Sequence, residues 1–154
     1  MRNAIHTATE FYREIYGDEL PGSLVICSFA GDGRPCDITW HRVIETAAEA
    51  SERLSDHRNA YFNVGLRPHE NADPYRRGGS DDVMAIPGLW ADLDYGKQQK
   101  RYPPSLDATL EIVDALPQRP PLLVDSGGGL HAYWPFKSCG FSIRLMSERQ
   151  RKEH

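Results

Sequence analysis

The chain is short of cysteine, has no excess of positive charge and carries no long apolar run. Its three cysteines, Cys27, Cys36 and Cys139, are odd in number, widely spaced and form no CxxC pair. That usage argues against a disulfide framework and against a cysteine-built zinc site, and a reducing cytoplasm fits it best. Lys and Arg total 18 against 22 Asp and Glu, for a formal net charge of -4. No overall field therefore draws the protein to nucleic acid or anionic lipid, and any such contact must be local. No stretch is apolar for long enough to cross a bilayer, and the opening residues mix acids and bases among the apolar ones, so neither membrane insertion nor secretion is expected. Internal repeats and low-complexity segments are lacking too. At 154 residues and 40% hydrophobic, what is there suits one ordinary domain with a real core, expected over residues 1–141, followed by a charged tail over 142–154.

Apolar residues at Ile5, Ala8, Phe11, Tyr12 and Ile15 recur at three- and four-residue steps, which predicts a helix ending near Gly17. SLVICSFA, the turn GDG and PCDITWHRV read as a β-hairpin, because Asp-Gly between two β-prone runs is a strong turn signal. ETAAEASERLSD predicts a second helix, and AYFNVGLR a strand ending at Arg67. Residues 68–82 hold prolines, paired arginines and paired glycines without periodicity, so they form a long irregular loop of the kind that is often functional. Within VMAIPGLWADLD, Pro87 and Gly88 break the run and place the strand proper at Gly88 to Asp94. A helix follows over Ser105 to Leu116, capped by Ser105 or Asp107, with Leu110, Ile112, Val113 and Leu116 facing inward. PLLVD, the turn SGGG and LHAYWPF make a second hairpin.

Two constellations carry chemistry. In Trp90-Ala91-Asp92-Leu93-Asp94 the alternation of a strand points Asp92 and Asp94 to one face, with backbones about 7 Å apart. Hard divalent cations take oxygen ligands and keep positions open for substrate phosphates, which such a pair permits. The plain alternative is two acids ending a strand and entering a solvated turn at Gly96. In Asp125-Ser126-Gly127-Gly128-Gly129-Leu130-His131 the glycines let backbone amides approach an anion, and His131 on the departing strand can donate to a phosphate. The segment lacks the Lys and Ser/Thr of a Walker loop and precedes a strand instead of a helix, so neither a P-loop nor a dinucleotide fingerprint is present. The plain alternative here is a glycine-rich hairpin turn beside a partly buried histidine.

A strand ending in Asp-x-Asp, followed after a helix by Ser-Gly-Gly-Gly-x-His-x-Tyr-Trp, resembles the first two signature motifs of the archaeo-eukaryotic primases, in particular the primase-polymerase and RepB-like primase domains of phages, plasmids and other mobile elements. YFNVGLR, Asp81-Asp82-Val83 and LWADLDYG are similar to that family as well, so the resemblance spans about residues 58–136. It implies an α+β fold with an RRM-like catalytic core, a mixed and largely antiparallel sheet with helices packed on one side. It implies Mg2+ or Mn2+ held by Asp92 and Asp94, with His131 at the phosphates of an incoming nucleoside triphosphate and Ser126, Gly127, Gly128 and Gly129 shaping the same pocket. The implied activity is that of a nucleotidyltransferase making primers or extending a DNA strand, with a single-stranded DNA template and a replicative helicase as partners and no membrane.

One departure stands out. The family completes its metal site with a third acid some tens of residues after the motif-two histidine, whereas here only Glu148 and Glu153 follow, both in the charged tail. The expectation is therefore a truncated or shortened chain whose two-metal mechanism is incomplete. Arg67, at its strand end, and Arg76 and Arg77, in the long loop, are candidate phosphate contacts, since arginine suits bidentate phosphate recognition. Trp40 is a candidate for base stacking and Lys97, in a basic cluster with Lys100 and Arg101, for template contact. Surface arginines and a tryptophan at the end of a hairpin strand are more commonly structural. Two rival functions remain: a non-catalytic single-stranded nucleic-acid-binding module, and a degenerate replication-protein remnant.

Overall fold

The computed structural model describes residues 7–97 and 101–136. The chain divides at the Pro87–Gly88 junction into two compact units. The architecture is α+β, with three α-helices and two three-stranded antiparallel sheets among the described residues. The single mixed sheet expected from the sequence is thus replaced by two. The segment between Phe62 and Gly88 makes only isolated bridges, Ser23 to Arg67, Leu66 to Ala85 and Asp73 to Arg76, and adds no long strand. The charged tail expected over 142–154 lies outside the described residues.

In the first unit, α1 (Ala8–Tyr16) starts with a reciprocal cap: the Glu10 amide donates to Thr7 Oγ1 at 3.1 Å and the Thr7 amide to Glu10 Oε2 at 3.2 Å. It stops at Gly17, whose φ of 88° suits a residue without a side chain. β1 (Leu24–Phe29) lies between β2 (Pro35–His41) and β3 (Tyr61–Phe62). Both faces of β1 are covered, which is why its sequence shows no alternation. Leu24 and Ile26 join Tyr12 of α1 and Ile44, Ala47, Ala48 and Ala50 of α2 (Ile44–Ser55), while Val25 and Cys27 pack with Ile38, Phe29 and Trp40. Burial of each large aliphatic side chain here contributes about 1.5–3 kcal/mol. Tyr12 Oη and Ser51 Oγ lie 2.6 Å apart within this core, and burial pushes the Tyr12 phenol up to about 12.

The strand expected over AYFNVGLR shortens to Tyr61–Phe62. Tyr16 Oη donates to the carbonyls of Asn63 and Val64 at 3.3 and 3.0 Å, diverting them from a ladder. The loop that follows is irregular, as expected, with 3-10 turns at His69–Asn71 and Ser80–Asp82.

In the second unit β4 (Gly88–Asp94) is followed by α3 (Leu106–Asp114), β5 (Leu122–Asp125) and β6 (Gly129–Pro135). β6 is central, in the order β4-β6-β5, and antiparallel to both neighbours. β4 and β5 therefore run parallel with β6 between them and α3 as their connection, a split β-α-β unit. Two glycines allow the close ladder: a Cβ at Gly88 would lie 2.3 Å from the Trp134 carbonyl oxygen, and one at Gly129 3.0 Å from that of Leu93. Of the two expected caps of α3, Ser105 and Asp107, it is Ser105 that serves, accepting from the Ala108 amide. The buried stripe of α3 corrects the expected one: Thr109 and Val113 are buried and Ile112 is 49% exposed. A threonine is tolerated inside because its hydroxyl donates to the Ser105 carbonyl at 2.9 Å.

No helix among the described residues is long and apolar enough to cross a membrane.

Candidate functional site

The ladder between β4 and β6 brings the two sequence constellations together. Trp90 is paired with Tyr133, Asp92 with His131 and Asp94 with Gly129. Residues directly opposite in an antiparallel pair project to the same face, so Trp90, Asp92 and Asp94 share one face with Tyr133 and His131. His131 Nε2 lies 3.6 Å from Asp92 Oδ1, too long for a hydrogen bond but within ion-pair range for a protonated ring. The His131 and Tyr133 rings meet edge to face, with centroids 6.5 Å apart. Side-chain exposure is 65% at Asp92, 40% at His131 and 28% at Asp94. The acids thus sit on an open sheet face, not in a closed cavity. A cleft of about 600 Å3 lies in the first unit instead, lined by residues that include Cys36, Asp37, Arg53 and Tyr75.

Asp94 has a resident cation. Its carboxylate is bonded to the Lys97 ammonium, which also sits 5.2 Å from the centre of the Tyr102 ring. The Asp94 bond, helped by the charges of Asp94 and Asp92, raises the Lys97 pKa. Lys97, a candidate template contact from sequence, is therefore engaged within the acid site.

The glycine turn divides its labour. The Ser126 amide and hydroxyl both donate to the Gly129 carbonyl, at 2.9 and 3.0 Å, and the Gly127 amide donates to Asp125 Oδ1 at 2.8 Å. Gly127 has a φ of 83°, which favours glycine. Gly128 has open space where a side chain would go, and Gly129 serves the approach of β6 to β4. Three of the turn's donors are thus satisfied internally, and the turn lies at the Asp94 end of the ladder.

The remaining candidates belong to the first unit. Arg67 is 7% exposed, donates from one terminal nitrogen to the Gly65 carbonyl at 3.0 Å, and its Nε has no partner. Burial lowers its pKa and the charge of Asp82 opposes that shift. Trp40 packs on the core and its indole N–H donates to the Asp73 carbonyl at 2.9 Å, pinning the long loop. Arg77 stacks 5.5 Å above the Phe29 ring, and Arg76 is exposed with its carbonyl near the Trp40 indole. Trp90, two positions before Asp92 on the same face, is 50% exposed.

As a donor set, Asp92 and Asp94 suit a hard divalent cation held openly by two carboxylates. Among the described residues no three His, Cys, Asp or Glu side chains are grouped so as to hold a metal ion. Comparison of the chain with protein-family models, with curated proteins and with solved structures returned no match.

Proposed function

We propose that the second unit is the nucleotide- and metal-binding part of a primase-polymerase of the archaeo-eukaryotic type, acting on nucleoside triphosphates and a single-stranded DNA template in the replication of a mobile element. One observation carries the reading: Asp92 and His131, nominated separately from two motifs, are direct cross-strand partners. The split β-α-β topology supports it, since that arrangement is a building block of ferredoxin-like sheets, the class to which an RRM-like core belongs.

Asp92 and Asp94 would hold magnesium or manganese, which supplies Lewis-acid neutralisation of the triphosphate oxygens when bound. His131 places an N–H donor on the same face for a phosphate oxygen. Lys97 adds a positive charge beside Asp94, suited to a phosphate once the carboxylate is otherwise engaged. The exposure of Asp92 and His131 leaves room for a polyanion to reach His131, Lys97 and a metal held by the two carboxylates. The reading covers binding; turnover needs a further acid beyond Asp92 and Asp94, and a replicative helicase is its expected partner in the cell.

The test is calorimetric titration with a nucleoside triphosphate, with and without magnesium or manganese, of wild type, Asp92→Asn/Asp94→Asn and His131→Ala. Binding should depend on the metal and weaken roughly ten- to hundredfold in each variant, the range for losing a charge-assisted contact. Binding indifferent to the metal and to these substitutions would overturn the proposal. Salt-sensitive binding of single strands without metal would instead point to a nucleic-acid-binding module.

A further inference from the structure

The three tryptophans are held differently. Trp40 donates its indole N–H to the Asp73 carbonyl and Trp134 donates to the Gln118 carbonyl, both at 2.9 Å. Trp90 is 50% exposed and makes no hydrogen bond or ring contact among the described residues. Leaving half of so large an apolar side chain in water forgoes a substantial part of the free energy that its burial would bring. Its position distinguishes it from the other exposed apolar residues. It stands on the same face as Asp92 and Asp94, one row before the Asp92–His131 pair and two before Asp94–Gly129.

Successive rows on one face of a strand are about 7 Å apart. Along β4 the face therefore reads aromatic surface, then carboxylate and imidazole, then carboxylate with ammonium. A nucleoside triphosphate presents its groups in a matching order: a flat aromatic base, a sugar, and a polyanion that binds metal. From this match we infer that Trp90 is the stacking platform for the base of the nucleotide bound at Asp92, Asp94 and His131, an inference that rests on the reading of that site given above. The indole offers a face and no edge that reads one base against another, so the contact is tolerant of base identity. It supplies the affinity that separates a nucleotide from a bare polyphosphate.

The experiment compares adenosine triphosphate with inorganic tripolyphosphate, each with magnesium, by calorimetry on the full chain as wild type, Trp90→Ala and Trp90→Phe. Wild type should prefer the nucleotide. Trp90→Ala should lose roughly five- to hundredfold in affinity for the nucleotide, the range measured for one base on one aromatic ring, with tripolyphosphate unchanged. Trp90→Phe, which keeps a ring and fills most of the same space, should retain most of the preference and guards against a folding defect in the alanine variant. Equal losses for both ligands, or no loss for either, overturn the assignment of Trp90. A wild type that binds both ligands equally well also overturns it while leaving the phosphate and metal site standing. A wild type that binds neither brings down that site and this inference together.

Discussion

The central strands of the two sheets are treated in opposite ways at their borders. β1 is buried from Leu24 to Ser28, with α1 and α2 over one face and a second apolar cluster on the other. β6 is also well buried, yet the strand beside it, β4, exposes Leu89, Trp90 and Asp92. The first unit also has an exposed carboxylate on an edge strand, Asp37 of β2, but that carboxylate is held by Ser28 and Arg58, whereas Asp92 of β4 is 65% exposed and has only the 3.6 Å approach of His131. Among the described residues the acid-histidine pairing of Asp92 with His131 thus belongs to the second unit alone, on the exposed strand beside a well-buried one.

That contrast can be sharpened by substitution. The largest effect is expected at Ile26→Ala, which empties a site with no exposure and should cost about 2–5 kcal/mol in urea denaturation, against a change within about 0.5 kcal/mol for Leu89→Ala on the exposed edge. Equal costs would erase the distinction between the two sheets. A smaller pair lies within the second unit. Gly88→Ala drives a methyl group into the Trp134 carbonyl and should cost about 1–3 kcal/mol, whereas Gly128→Ala points into open space and should be close to neutral by thermal melting. The smallest effect concerns the cation already at the acids. Lys97→Met should tighten manganese binding about two- to fivefold in a calorimetric titration, because the ion no longer competes with an ammonium for Asp94. Weaker manganese binding in that variant would mean that Lys97 organises the carboxylate instead of blocking it.

Much of the local structure was legible in the sequence for identifiable reasons. Pro87-Gly88 marked the start of β4 and Ser105 the start of α3, because backbone chemistry at those residues restricts what precedes or follows them. The Asp-Gly turn marked the first hairpin, although the bulge inside it did not show. Asp37 takes a φ of 51° there, its carboxylate accepting from Ser28 Oγ across the hairpin and from Arg58 beyond α2, contacts set by the strand register and by a residue distant in the chain. For the site, the alternation that puts Asp92 and Asp94 on one face was legible. Their partners were not: the pairing with His131 is a long-range register, and the bond from Lys97 to Asp94 depends on how the chain turns at Gly96. Ile112 was misplaced because four apolar residues on a short helix fit more than one stripe, and only packing decides which one is covered.

The pairing of β4 with β6 also sets an order in time. β5 and β6 are joined by a short glycine turn and can close within microseconds, as hairpins do. β4 must wait for the chain to return across α3 and β5, a slower event because the contact is distant in sequence. During synthesis the two carboxylates therefore emerge before the histidine that faces them. Until β6 arrives, β4 is an unpaired strand, and the repulsion between the charges of Asp92 and Asp94 on neighbouring copies discourages it from zipping onto another nascent chain.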